Sequence, residues 1–337
     1  MEFRRINYEG DRELKFFIVD DEDELYKIMF ADLIKADDPD ITEIPKFRRL
    51  PDWLNKLRLI HFSDRINRHL WLPFKGLWNP LYTLSKLDVN KDEVYWVVFL
   101  NGTLRNYYSL NYLKQLKKKH PNMKLAMIMY DSLSNRSTKR AVEKMPVFDK
   151  IFSFDKGDCE QKGFERILST YSVPQTVHLD EQYKNDAFFV GAAENRLELL
   201  QETLKRVSEC YPRCEFRIVG VSNENRKYED VITYNKRLSY DEALMYSYNT
   251  TCIVEVVRPG QTGVSLRTCE AVVFNKKLLT NNASVRDMPF YDPNYICIFD
   301  RVEDIDKGFL LSNVKVDYRY DGCFSPMAII NRLRGET

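Results

Sequence analysis

The stretch from Cys252 to Asn282, CIVEVVRPGQTGVSLRTCEAVVFNKKLLTNN, constrains the fold more than any other part of the chain. Its apolar run from Cys252 to Val257 reads as a buried strand that stops at Pro259-Gly260. A glycine-punctuated loop continues to Gly263, a helix follows from about Ser265 to Phe274, and a second strand runs from Lys277 to Thr280. Two strands joined by a helix in so short a span make one βαβ unit, and such units build parallel sheets. The loop therefore lies at the carboxyl end of a strand, where open α/β sheets bind ligands.

Backbone N–H groups in the Gln261-Thr262-Gly263 turn, running into a helix N-terminus, form an anion site suited to a phosphate. Arg258 precedes that turn as a further cation. Arg267 and Glu270 stand at i and i+3 and share a helix face, so the carboxylate could accept a pair of ribose hydroxyls. The plainer alternative is a surface ion pair.

At 337 residues the chain accommodates two domains of ordinary size. With 44% hydrophobic and 30% charged residues it has the make-up of a soluble globular protein. A net charge of +1 argues against a strongly basic nucleic-acid binder, though not against a local basic patch. The seven cysteines form no metal-type CxxC pair and read as reduced core thiols of a cytoplasmic protein. Four histidines in no HExxH-like arrangement make a histidine-held catalytic metal unexpected. The N-terminus does not resemble a signal peptide, and no apolar run nears the length of a membrane span.

In chain order, Lys15 to Asp20 reads as a strand followed by a helix from Glu24 to Leu33. The loop between them, Asp20-Asp21-Glu22-Asp23, is acidic and would repel a phosphate, so it suits a neutral or hydroxyl-bearing partner. Residues 45–87 interleave Trp53, Trp71 and Trp78 with arginines and lysines. That mixture suits a lipid headgroup layer or a lipid-linked acceptor, or else a helical insertion whose tryptophans pack on the first domain. Strands follow at Val94 to Leu100, Lys124 to Tyr130 and Ile151 to Phe154, with a helix from Leu110 to His120, which together suggest a doubly wound domain. Asp131 closes one of these strands and reads either as a general base toward a sugar hydroxyl or as the cap of a short helix.

After about residue 172 the architecture restarts. Ala187 to Val190 reads as a strand, Gly191 to Asn195 as a tight turn and Arg196 to Cys210 as an amphipathic helix, so Gly191 and Arg196 form a second candidate phosphate site. A strand from Glu215 to Val219, another at Ile232 to Tyr234 and a helix from Tyr240 to Ser247 capped by Ser239 precede the opening stretch. Helices at Glu303 to Leu311 and Ser325 to Leu333 end the chain. The expected division is one Rossmann-like domain at 1–172, a second at 173–320 and a terminal helix at 321–337 that crosses back.

The residues FFVGAAENR, FRIVG, SYDEAL and GQTGVSLRTCEAVVFNKKLLTNN, spread over roughly Asp186 to Asp300, resemble the nucleotide-sugar domain of GT-B glycosyltransferases, which carry two facing Rossmann-like domains with parallel sheets. The Gln-Thr-Gly, Arg, Glu arrangement is most similar to enzymes of capsule and lipopolysaccharide assembly. The resemblance implies that residues 1–172 are the acceptor-side domain and 173–320 the nucleotide-sugar-binding domain, that Glu270 holds the donor ribose and that Thr262-Gly263 lie at the donor phosphates. Many retaining members carry a second glutamate eight residues earlier, and here that position is Thr262, which leaves the stereochemistry open.

The expectation is thus a glycosyltransferase that moves a sugar from a nucleotide donor to a saccharide or lipid-linked acceptor in surface polysaccharide assembly. Arg196, Arg258 and Arg267 would meet the leaving diphosphate without an obligatory metal or other cofactor, and Asp131 or Asp21 would activate the acceptor. No nucleic-acid partner is expected, and the chain would work in the cytoplasm, peripheral on the inner face of the membrane. Alternatives are a non-catalytic nucleotide-sugar-binding or assembly protein of the same fold and, more weakly, a nucleotide-sugar epimerase.

Overall fold

The computed structural model of the protein describes residues 14–22, 24–87, 93–133, 138–259 and 262–335. The chain divides into two compact units, one holding the residues up to Ser172 and again from Ser325, the other Val173–Phe324.

The first unit is built on β1 (Leu14–Val19), β2 (Ile41–Ile44), β3 (Val94–Leu100), β4 (Met123–Met129), β5 (Lys150–Ser153) and β6 (Glu165–Arg166). They lie in the order β2-β1-β3-β4-β5-β6, and every neighbouring pair is parallel. β3 is buried from Tyr95 to Leu100, the unbroken apolar run that a strand covered on both faces requires. Each such side chain contributes roughly 1.5–3 kcal/mol on leaving water. The helix Leu110–Lys119 is capped by Ser109, whose hydroxyl accepts from Tyr112 N at 3.2 Å, and buries Tyr112, Leu113 and Leu116. The expected first helix is broken into Glu24–Met29 and Ala31–Ile34. β2 and β6 escaped the sequence reading, because one is a four-residue edge strand with two exposed polar residues and the other spans two residues.

Residues 45–87 fold into helices Asp52–Phe62 and Asp64–His69 and two 3-10 turns, Lys75–Leu81 and Thr83–Lys86. Trp78 packs inward against Phe47 and Phe62 with ring centroids 6.0 and 5.8 Å away. Trp53 and Trp71 remain 64% and 46% exposed, so an insertion with all three tryptophans packed inward is not what forms. The last helix, Met327–Arg334, belongs to this unit: Arg334 Nη2 donates to Asp38 Oδ2 and Arg332 Nη1 to the Arg166 carbonyl, each at 2.6 Å.

The second unit holds β7 (Asn185–Ala192), β8 (Cys214–Val219), β9 (Ile232–Tyr234), β10 (Thr250–Glu255), β11 (Lys277–Thr280) and β12 (Ile296–Ile298), in the order β12-β11-β10-β7-β8-β9 and again all parallel. β7 runs two residues beyond the expected strand end because Gly191 and Ala192 pair with Ile218 and Val219 of β8, so Gly191 is a strand residue and not part of a turn. The helix Leu197–Ser208 buries Leu200, Leu204 and Val207. Tyr240–Tyr248 opens on a reciprocal cap, in which Ser239 N donates to Glu242 Oε2 at 2.8 Å and Glu242 N to Ser239 Oγ at 3.2 Å. All seven cysteines are free thiols.

Each sheet reverses its winding once. From β1 the chain adds β2 on one side and then places β3 on the other; from β7 it adds β8 and β9 on one side and then places β10 on the other. At such a switch point the two loops leave in opposite directions, and a crevice opens at the carboxyl ends of the strands.

Candidate functional site

The switch point of the second unit lies between β7 and β10. Arg196, in the turn after β7, spans it: Nη2 donates to the Ala192 carbonyl at 3.2 Å and Nη1 to the Val256 carbonyl just past β10. Its Nε is buried without a hydrogen-bond partner among the described residues. Burial, followed by the charge of Arg258, pulls the Arg196 guanidinium below its ordinary value. Arg258 is exposed and pairs with Glu194 at 2.9 Å, a second tie between the same two loops. Gly191 leaves room for this arrangement, since a Cβ there would sit 3.1 Å from Phe189 Cζ and 3.4 Å from Arg196 Nη2.

The loop after β10 is held from the end of β11. Asn281 Oδ1 accepts from Val257 N at 2.6 Å, Asn282 Nδ2 donates to the Gly263 carbonyl at 3.0 Å, and Ser284 Oγ donates to the Thr262 carbonyl. Thr262 is exposed and Gly263 buried; Gln261 lies outside the described residues. Ser265 then caps the helix Leu266–Val273, accepting from Arg267 N at 3.0 Å and Thr268 N at 3.5 Å. Two of the amides expected to receive a phosphate are therefore already paired with the chain's own cap.

Ser265 Oγ in turn donates to Glu255, the last residue of β10. Thr268 Oγ1 donates to Glu255 Oε1 at 2.9 Å and Thr280 Oγ1 to Oε2 at 2.5 Å, so three hydroxyls from two elements satisfy a carboxylate that is 3% exposed. The sequence reading passed over Glu255. Its signal was there, as a lone acid inside the apolar run CIVEVV, where a buried charge requires partners.

Glu270 faces a different group. It is fully buried, with Oε2 accepting from Arg267 Nη1 and from Ser247 Oγ, the latter at 2.6 Å, while Tyr240 Oη lies 3.5 Å from Oε1. Ser247 Oγ also accepts from Arg267 Nη1 at 3.0 Å, which closes a three-membered ring of donors and acceptors. Burial pushes the Glu270 carboxyl above its usual range against the opposing pull of Arg267 and the hydrogen bonds. The pair is thus neither a surface ion pair nor an open ribose acceptor. The Tyr240 contact, at the limit of hydrogen bonding, is the weakest of its partners.

In the first unit the switch point lies between β1 and β3, and Asp21 sits in it. Thr103 Oγ1 donates to Asp21 Oδ1 at 2.8 Å and Tyr130 Oη to Oδ2 at 3.3 Å. Lys46, 2% exposed, donates to the Asp21 carbonyl at 2.6 Å and stands 3.6 Å from its carboxylate and 3.7 Å from that of Glu22. Arg58, also buried, pairs with Glu22 at 3.0 Å, and Glu22 takes up a left-handed φ of 58°. Asp131 follows β4, one strand away from the switch point, with Arg105 Nη2 3.9 Å from its carboxylate. The short helix of the capping alternative falls largely outside the described residues.

Neither a protein-family model nor a curated protein matches the sequence. Among solved structures the chain is similar to S. aureus MnaA with UDP (TM-score 0.53, 12% identity, 96% of each chain covered). It is similar also to a Listeria monocytogenes protein described as a candidate UDP-N-acetylglucosamine 2-epimerase (TM-score 0.51, 10% identity, 96% of each chain). A third is an alpha-glucosyltransferase in complex with UDP and DNA (TM-score 0.50, 12% identity, 96% of this chain and 93% of that one). At these identities the likeness is one of fold, and with the two parallel six-stranded sheets it makes the chain a pair of Rossmann-like domains of the GT-B type.

Proposed function

We propose that the chain binds a nucleoside-diphosphate sugar in its second unit and transfers the sugar to a hydroxyl of a saccharide or lipid-linked acceptor. The observation that carries this reading is the pair of guanidinium groups, Arg196 and Arg258, at the carboxyl end of the β7/β10 switch point. As the bond from the anomeric carbon to the diphosphate breaks, negative charge gathers on the leaving oxygens, and fixed cations there stabilise the transition state. Asp21 or Asp131 would take the proton of the acceptor hydroxyl as its oxygen attacks that carbon. Glu270 would meet the nucleoside only once the long Tyr240 contact yields. The resemblance to capsule and lipopolysaccharide enzymes supports a place in surface polysaccharide assembly, on the cytoplasmic face of the membrane.

A second reading, epimerisation of a nucleotide sugar, is supported by the fold shared with the Listeria protein and needs no acceptor. Thermal shift with UDP, GDP, CMP, ADP and dTDP on wild type, Arg258→Ala and Glu270→Ala, followed by turnover of the matching nucleotide sugar, separates the readings. Stabilisation by one nucleotide that Arg258→Ala weakens, with release of that nucleotide only when acceptor is present, is the expected result. An isomerised sugar formed without acceptor assigns the epimerase. Binding without turnover assigns a sensor or assembly subunit, and no binding to any nucleotide overturns the proposal.

A further inference from the structure

The helix Asp52–Phe62 carries apolar side chains on both of its faces. Its inward face carries Phe62, 3% exposed, and Arg58, 7% exposed, which pairs with Glu22, donates from Nε to Asn55 Oδ1 at 2.8 Å and lies 5.2 Å from the Phe47 ring centre. Its outward face carries Trp53, Leu57 and Ile60 at helical spacing, 64%, 50% and 55% exposed. A helix that only had to cover the first sheet would carry polar residues on that outward face. The apolar surface continues across the next turns, where Phe74 and Leu77 are 76% and 78% exposed, and a groove runs between the two parts lined by Leu54, Leu57, Ile60, Phe74, Leu77 and Leu81. Phe74 holds a left-handed φ of 61°, a conformation that costs a bulky residue energy. Contiguous apolar surface of this kind marks an interaction site.

Charge selects the partner. Residues 45–87 carry nine Lys or Arg against two acids, a local excess of seven positive charges in a chain whose net charge is +1. Lys46 and Arg58 are spent inside on Asp21 and Glu22, but Arg48, Arg49 and Lys56 are exposed. Arg48 lies on the groove's rim, its backbone N–H bonded to the Leu81 carbonyl at 3.1 Å, and Lys56 shares the outward face of the helix with Trp53 and Ile60. A second copy of this face would set like charges against each other, which disfavours a symmetric dimer through it. An anionic bilayer meets both demands, with phosphate headgroups against the cations and acyl chains against the aromatic and aliphatic side chains.

We propose that the Trp53-Leu57-Ile60 and Phe74-Leu77 face is a peripheral docking surface for anionic lipid membranes. This goes beyond the donor reading and does not depend on it. The test is co-sedimentation of the full chain at low salt with phosphatidylcholine vesicles, with and without phosphatidylglycerol. Binding to the anionic vesicles is expected, weakened on the order of 100-fold in Arg48→Ala/Arg49→Ala/Lys56→Ala at about fivefold per charge, and about tenfold or more in Leu57→Ser/Leu77→Ser. These positions are exposed, so unchanged thermal unfolding of the variants shows that the loss is one of binding. No binding to anionic vesicles, or binding that neither set of substitutions weakens, overturns the proposal. So does a dimer in light scattering that Leu77→Arg dissociates, which would assign the face to a second copy. Nucleotide-induced thermal shift on the same samples reports on the donor site separately.

Discussion

A single methyl group at Gly102 tests how tightly the Asp21 cluster is built. An ideal Cβ at that position would lie 1.8 Å from Tyr130 Oη, 2.7 Å from Asp21 Oδ2 and 3.0 Å from Tyr130 Cζ. The backbone there is helical, with φ −61° and ψ −47°, so alanine adopts it without strain and gains about 0.5 kcal/mol from a less flexible unfolded chain. Against this stand overpacking, worth about 1–3 kcal/mol, and the lost Tyr130 to Asp21 hydrogen bond, worth about 1 kcal/mol at its length of 3.3 Å. Gly102→Ala is thus expected to destabilise by about 2–3 kcal/mol and to lower the unfolding temperature by roughly 5–10 °C. Tyr130→Phe removes the atom in closest conflict, so the double variant should recover at least about 1 kcal/mol over Gly102→Ala alone, a coupling that only contacting residues show. Urea unfolding of the wild type, both single variants and the double variant closes the cycle. A Gly102→Ala protein as stable as wild type, or a double variant no better than the single, would refute the close approach of Tyr130 and Asp21.

Three further outcomes follow from the buried charges. Ser265→Ala removes both a helix cap and one donor to Glu255, and should cost about 2–4 kcal/mol in urea unfolding, whereas Ser265→Thr keeps the hydroxyl and most of the stability. The Glu270 carboxyl sits above its usual value in the folded state, so the native protein binds more protons than the unfolded chain and loses stability as pH rises from about 4.3; Glu270→Gln should abolish that slope, and parallel stability curves for the two proteins would contradict the assignment. Lys144 donates to the carbonyls of Leu104 and Tyr107, and burial pushes its ammonium down to about 7. The native state then binds fewer protons than the unfolded chain, so wild-type stability should rise between about pH 7 and pH 10, and Lys144→Met should lack the rise.

Much of the fold could be read from residues because parallel strands buried on both faces announce themselves as apolar runs. VYWVVFL, KLAMIM and CIVEVV each became a strand within two residues of the expected limits, and the Ser239-Glu242 cap formed as its spacing required. What could not be read was pairing across long sequence separations. Nothing local in ITEI says that it pairs with β1, and nothing near Glu255 says that Thr280 will lie beside it in register. The site shows the same limit. Arg196 and Glu270 stood out by position after a strand or on a helix face, but the partners that decide their states, Val256, Ser247 and Tyr240, come from other elements. Gly102, Thr103 and Tyr130 were not read as neighbours of Asp21 because only the winding of the sheet brings β1, β3 and β4 to one place.

The two switch points share an architecture and differ in chemistry. At β7/β10 the acid at the strand end, Glu255, is turned inward and satisfied by three hydroxyls, while the group that spans the strand ends is the guanidinium of Arg196, with Arg258 exposed beside it. At β1/β3 the arrangement is inverted: the cations Lys46 and Arg58 are buried, and the carboxylates of Asp21 and Glu22 stand over them. A crevice spanned by one guanidinium with a second beside it favours a phosphate-bearing ligand that takes Arg258 over from Glu194, and one presenting carboxylates favours a neutral ligand with hydroxyls to donate. The same α/β frame is thus dressed for two kinds of ligand. Exchanging the charge at one position should therefore act on one of them only: Arg258→Glu is expected to abolish nucleotide-induced stabilisation, while Asp21→Asn leaves nucleotide binding intact and lowers turnover. Loss of nucleotide binding in Asp21→Asn, in a protein whose unfolding temperature is otherwise preserved, would contradict this division of labour.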